Sequence, residues 1–271
     1  MKTRIISAAV GIVILFAVLL CPYTWLFALA LAAVSGVAVF ELLHNTGLVK
    51  NTTLLIGSVV YGVCQVLAFY THQTACWVLP LVYGLFVLLF VLARHETMTV
   101  SDGGCAFFLT LYAVLGFTAL LGLRISADNN KGIMQVLLTL AIPWMSDTGA
   151  YFTGVFFGKH KMAPVISPKK TWEGFFGGLF VSAGSAMLLM HWLQQLMPSS
   201  ASLLPLWVYG LLAFLLAPLS VCGDLFASAI KRHSGIKDYG NLMPGHGGAM
   251  DRFDSVVIIA PILYMILLYV G

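Results

Sequence analysis

Residues Leu204 to Ser255 read LPLWVYGLLAFLLAPLSVCGDLFASAIKRHSGIKDYGNLMPGHGGAMDRFDS. Through Ala229 the stretch is apolar apart from Asp224 and a few small polar residues, and it exceeds the roughly 20 residues a helix needs to cross hydrocarbon. From Asp224 onward it gathers Lys231, Arg232, Lys237, Asp238, His246, Asp251, Arg252 and Asp254, in a chain that is 60% hydrophobic and only 9% charged. A charge near a bilayer centre costs about 2.5 to 3.5 kcal/mol on insertion scales, so charges beside apolar helices mark function or close pairing. The stretch therefore predicts a membrane helix, a reactive loop at the membrane surface, and a second membrane helix starting near Val256.

Working outward, further apolar runs lie at 5–20, 25–43, 54–70, 77–92, 107–123, 133–157 and 175–197. With a mean hydropathy of +0.97, they predict an all-α, polytopic transmembrane helical bundle of about nine spans and exclude a soluble core. The N-terminus resembles a signal peptide in charge and length. Leu20 is too large for a lipoprotein-type cleavage site before Cys21, so the run reads as an uncleaved first span. The five cysteines are scattered without CxxC spacing, which points to neither zinc nor a disulfide framework.

Lys and Arg set the orientation. With a cytoplasmic N-terminus and an outside C-terminus, twelve of the 14 basic residues lie inside, leaving only Arg124 and Lys131 outside. This places two long polar loops, 159–173 and 231–252, on the cytoplasmic face. Residues 1–143 are assigned a scaffold or dimerisation role, and 144–271 a catalytic role. In the first part, Ser58, Tyr61 and Gln65 read as helix-packing groups. Glu41 and His44, at the end of the second run, read as an interfacial anchor.

From Trp144 the character changes. Asp147 falls inside an apolar run among Gly149, Gly154 and Gly158, and is open to three readings: proton relay, metal ligand, or buried partner of a cation such as Lys170. The following loop carries Pro164 and Pro168, then Lys169 and Lys170 just before a helix that begins near Thr171. Lysines beside a helix N-terminus suit a phosphate, although a basic loop touching anionic headgroups has the same composition.

On the eighth helix Asp224, Ser228 and Lys231 share one face at i, i+4 and i+7. The glycine-rich segment HSGIKDYGNLMPGHGG can turn backbone amides and cations toward a polyphosphate. At the start of the last helix, Asp251 and Asp254 are one turn apart. They read as helix-dipole partners, worth about 0.3 to 1 kcal/mol each, or, with Asp224, as oxygen ligands for Mg²⁺. His246 in PGHGG can donate to a phosphate, act as acid or base, or cap a turn.

SAIKRHSGIKDYGNLMPGHGGAMDRFDS resembles the signature of the phosphatidate cytidylyltransferases (CDP-diglyceride synthetases), and SDTGAYFTGVFFGKHK with SPKKTWEG resembles that family's second block. Met243 and Ala249 depart from the usual residues, both at apolar packing positions. The resemblance implies an integral membrane nucleotidyltransferase that uses CTP and phosphatidate, depends on Mg²⁺ and forms CDP-diacylglycerol and diphosphate. Asp224, Lys231, Asp251, Asp254 and His246 are the implied catalytic residues. Lys169, Lys170, Arg232, Lys237, Arg252 and Ser228 would bind substrate phosphates. Asp224, Asp251 and Asp254, with Asp147 as a further candidate, would hold Mg²⁺ and a second cation if one is used. Trp172 and Tyr239 are the aromatic candidates for contact with the base. No nucleic-acid partner is expected, a homodimer is admitted, and the expected location is a bacterial inner membrane. The alternative class is an ion-coupled transporter, for which intramembrane Asp147 and Asp224 would be coupling sites.

Overall fold

The computed structural model describes residues 2–72, 75–125, 128–197, 203–242, 245 and 247–270. Among them it contains nine α-helices, close to the apolar runs: α1 (Lys2–Leu20), α2 (Thr24–Phe40), α3 (Thr52–Thr71), α4 (Ala75–Ala93), α5 (Val100–Ile125), α6 (Asn129–Phe157), α7 (Trp172–Leu196), α8 (Leu206–His233) and α9 (Met250–Val270). Six of these, α2 with its extension to Asn45, α3, α5, α7, α8 and α9, are long and apolar enough to cross a membrane. The apolar stretches of α1 and α4 are shorter, and α6 carries Asn129, Asn130, Lys131, Gln135, Asp147 and Thr148 along its length. Large apolar side chains such as Trp77, Leu81, Phe156 and Phe180 are exposed on the protein. In hydrocarbon such exposure carries no hydrophobic penalty, because lipid tails are as apolar as the side chains.

The 159–173 segment, expected as a loop, is a β-hairpin. Strands β1 (Lys161–Ala163) and β2 (Ser167–Thr171) run antiparallel, with Lys161 opposite Thr171 and Ala163 opposite Ser167. Pro164 falls in the turn. The helix that follows begins where expected: Thr171 is the N-cap of α7, its Oγ1 accepting the Gly174 N–H at 3.2 Å.

The residues form two compact units, Met1–Leu121 with Ile230–Phe253, and Gly122–Ala229 with Asp254–Gly271. In the first, α2 packs on α3 and α3 on α4, around a core that includes Phe27, Leu42, Leu54, Val66, Phe117 and Leu120. The Tyr83 hydroxyl lies 2.8 Å from Ser58 Oγ and 3.1 Å from Thr110 Oγ1, tying α3, α4 and α5 together. Ser58 is thus a helix-packing group, as its isolation among apolar residues suggested. α2 does not stop at Phe40 but widens into a π-helical turn, Glu41–Asn45.

In the second unit α6 and α7 approach closely because their facing residues are small. A Cβ on Gly178 would lie 2.6 Å from the Ser146 carbonyl oxygen, and one on Gly174 would lie 2.7 Å from that of Ala150. The Thr153 hydroxyl donates to its own helix at Gly149 O (2.7 Å), and Ser182 Oγ donates to Ile142 O at 3.1 Å across the crossing. This contact fixes where Asp147 and the hairpin sit.

Candidate functional site

Chemistry-bearing residues of the second unit meet in one cavity of about 270 Å³. It is lined by Asp147 and Tyr151 from α6, Ser167, Lys169, Lys170 and Thr171 from β2 and its end, and Asp224 from α8. The Lys170 ammonium forms an ion pair with the Asp224 carboxylate, the two side chains being only 21% and 25% exposed. Asp147 is within electrostatic reach of both. The hairpin that delivers Lys169 and Lys170 is latched at its base. His160 Nδ1 lies 2.6 Å from Glu173 Oε1, the His160 N–H reaches both Glu173 oxygens at 3.2 Å, and Trp172 N–H donates to His160 O at 3.0 Å.

A second group lies in the first unit. Lys231 Nζ donates to Asp251 Oδ1 at 2.8 Å, with side chains 12% and 5% exposed. The other carboxylate oxygen accepts the Tyr239 N–H at 2.7 Å and the Gly248 N–H at 3.0 Å. Asp251 is therefore the hub of the glycine-rich loop as well as an acid at the first turn of α9. Gly247 has φ +86°, a left-handed conformation that a side chain would strain, and a Cβ there would come 2.8 Å from Asp251 Oδ2. The Lys231 ammonium also sits 5.1 Å from the Tyr239 ring centroid. Tyr239 is 1% exposed, so its face is taken and it is not open to stack on a base. Trp172, the other aromatic candidate, is exposed.

The remaining expected residues are distributed as follows. Arg232, Lys237 and Arg252 are exposed and Ser228 is half-buried. Asp254 is buried, with Oδ1 accepting the Ser255 N–H at 2.7 Å, and it does not line the cavity. His246 lies outside the described residues.

Glu41 is a correction. It was expected at the interface with His44, yet it is 3% exposed and accepts the Ala249 N–H at 3.1 Å and the Met250 N–H at 2.9 Å. His44 is exposed. An isolated acid ending an apolar run was a usable signal. Its partners were not legible, because they are backbone amides more than two hundred residues away that have no sequence signature.

Among the described residues, no three His, Cys, Asp or Glu side chains gather as a ready-made metal cluster. The donors still suit a hard cation, since Mg²⁺ typically takes one or two carboxylates together with substrate phosphates and water. Asp147 and Asp224 in one cavity supply such a pair. A carboxylate has about four lone-pair sites, so Asp251, with three hydrogen bonds described, keeps capacity on Oδ1.

Apolar helices that frame paired carboxylates and lysines in this way define a membrane protein built to handle anions. The model of the cytidylyltransferase family matches residues 2–270, and the chain belongs to that family. The phosphatidate cytidylyltransferase of Bacillus subtilis strain 168 is 34% identical over 278 residues, covering 98% of this chain and 97% of that protein. Those of Staphylococcus epidermidis and Staphylococcus saprophyticus are each 31% identical, covering 99% and 100% of both chains respectively. The transporter alternative finds no support in these relationships.

Proposed function

We propose that the chain is an integral membrane phosphatidate cytidylyltransferase that joins CTP and phosphatidate to give CDP-diacylglycerol and diphosphate. The observation that carries this reading is the meeting of Asp147, Lys169, Lys170 and Asp224 in one cavity, in a chain of the cytidylyltransferase family. A phosphate oxygen of phosphatidate attacks the α-phosphorus of CTP, and the bond from that phosphorus to the bridging oxygen breaks as diphosphate leaves. No covalent enzyme intermediate is required, so the side chains chiefly orient two anions and offset their charge.

Lys169 and Lys170 bind phosphate oxygens, and Asp224 holds the Lys170 ammonium in place until substrate arrives. Lys231, Arg232, Lys237 and Arg252 serve the remaining phosphates, with Ser228 as a neutral donor and His246 as a donor or proton carrier. Asp224, with Asp147 in the same cavity, would hold Mg²⁺; Asp251 and Asp254 are the other candidate ligands. Bound there, a divalent cation supplies neutralisation of the charge that develops on the departing diphosphate.

Residues 144–271 form the catalytic part and 1–143 the scaffold, in an inner membrane that the chain crosses about nine times with both polar segments cytoplasmic. Supporting this orientation is the placement of twelve of the 14 basic residues on one side. A cysteine near Gly240, at the exposed Asp238, in a chain lacking its native cysteines, should react with an impermeant thiol reagent only once the inner face is opened; labelling of intact cells would reverse the topology. For the activity, vesicles containing the chain are given labelled CTP and phosphatidate. A CTP-derived liponucleotide should appear and require Mg²⁺, and its absence from well-folded protein would end the proposal.

A further inference from the structure

Glu41 meets the glycine-rich loop where it enters α9. Its carboxylate sits in the π-helical turn after α2 and is almost wholly buried. One oxygen accepts the Ala249 N–H and the other the Met250 N–H, at 3.1 and 2.9 Å. These are orphan amides of the α9 N-terminus, which no residue inside that helix can satisfy. A Cβ on Gly240 or on Gly248 would run into the same carboxylate. Glu41 therefore touches both ends of the 240–248 segment, one strand of chain leaving Tyr239 and the other entering α9. In the same turn Asn45 Nδ2 donates to the Tyr239 carbonyl oxygen at 2.6 Å.

The two glycines permit this close approach, and they flank the contacts through which Asp251 holds Tyr239 N and Gly248 N. A carboxylate is the one side-chain group of this length that accepts on both oxygens; an amide of the same shape would turn a donor toward one of two N–H groups. We propose that Glu41 is a positioning residue for cytidylyl transfer: it clamps the neck of the 240–248 loop and the first turn of α9, and so keeps Asp251 and Lys231 oriented. This rests on the function proposed above, with Glu41 itself touching no substrate.

The test compares Glu41→Gln and Glu41→Asp with the parent chain in one detergent preparation. Glu41→Gln should lower kcat about ten- to a hundredfold, the scale expected of small misplacements of reacting groups. It should also raise the Mg²⁺ concentration needed for half-maximal rate, with KM for CTP little changed. Glu41→Asp, which keeps both acceptors on a shorter stem, should recover part of the loss. A merely structural glutamate would behave oppositely, with the isosteric Gln the milder change and the effect confined to the yield of folded protein.

Hydrogen exchange gives an independent reading: the Ala249 and Met250 amides should exchange faster in Glu41→Gln while α3 is unaltered. If Glu41→Gln does not fold, Glu41→Asp and Gly248→Ala disturb the same contact from its two sides and carry the same expectations. Folded variants with parental kcat, Mg²⁺ dependence and exchange would overturn the proposal, and so would failure of all three to fold. A parent chain that makes no liponucleotide would instead remove the functional reading, and the exchange measurement would still decide whether Glu41 holds the neck.

Discussion

The Lys231–Asp251 pair can be tested as a unit by a double-mutant cycle of Lys231→Met, Asp251→Asn and the combined variant. Its side chains are 12% and 5% exposed at an Nζ–Oδ1 distance of 2.8 Å, and removing one partner of a buried pair costs about 3 to 5 kcal/mol because a charge is left uncompensated. Lys231→Met leaves Asp251 with two amide donors, which holds the loss near the lower end, about 3 kcal/mol. Asp251→Asn strands the ammonium against the Tyr239 ring. The double variant leaves neither member of the pair as an uncompensated charge and keeps an oxygen for the amides, so it should cost less than the two single changes together, with a coupling of about 2 to 3 kcal/mol. Unfolding by graded SDS in mixed micelles, followed by far-UV circular dichroism, measures each corner. Additivity to within about 0.5 kcal/mol would show that the two side chains are not energetically linked, and the loop would need another hub.

Asp224→Asn should keep the fold, because its pair with Lys170 is partly open to solvent, but should lose most of the turnover; near-parental rates with an unchanged Mg²⁺ requirement would place the metal elsewhere. Changing Lys169 and Lys170 together to Gln should raise KM for CTP or phosphatidate or lower kcat in folded protein. Parental kinetics with both substrates would return the hairpin to a headgroup-contact role. Gly174→Ala forces a Cβ to 2.7 Å from the Ala150 carbonyl oxygen and should destabilise by about 1 to 3 kcal/mol through overpacking. An unaltered SDS midpoint would mean that α6 and α7 separate at little cost.

The helices were legible because hydropathy acts locally: each of the nine runs from Ile5 to Val270 became a helix, most ends falling within four residues of expectation. Helices α5 and α9 start earlier, at Val100 and Met250, in polar segments that hydropathy does not mark. Helix α8 also continued through Lys231 to His233, as the shared face of Asp224, Ser228 and Lys231 required. The β1–β2 hairpin escaped notice because Pro164 and Pro168, with two adjacent lysines, have the composition of a loop; its order comes from pairing and from the His160–Glu173 latch. For the charged residues, kind was readable and partnership was not. Lys170 could be named as a cation for a nearby carboxylate, yet nothing in the spacing chose Asp224 over Asp147. Asp251 could be named an acid at a helix start, yet its grip on Tyr239 N depends on a loop conformation that glycine leaves open. Glu41 shows the same limit at greater range.

Seen during synthesis, the Glu41 clamp is a matter of timing. Its acceptors face amides of residues 249 and 250, which are made more than two hundred residues later. At about 5 to 20 residues per second, the carboxylate at the end of α2 waits about 10 to 40 s in or beside the bilayer before its partners exist. Throughout that interval the carboxylate lacks the two amides that offset its burial in the finished protein. A chain cut short before Ala249 never leaves that state. The residue that closes the loop in the finished protein is thus, in any shorter chain, an acid without its partner amides.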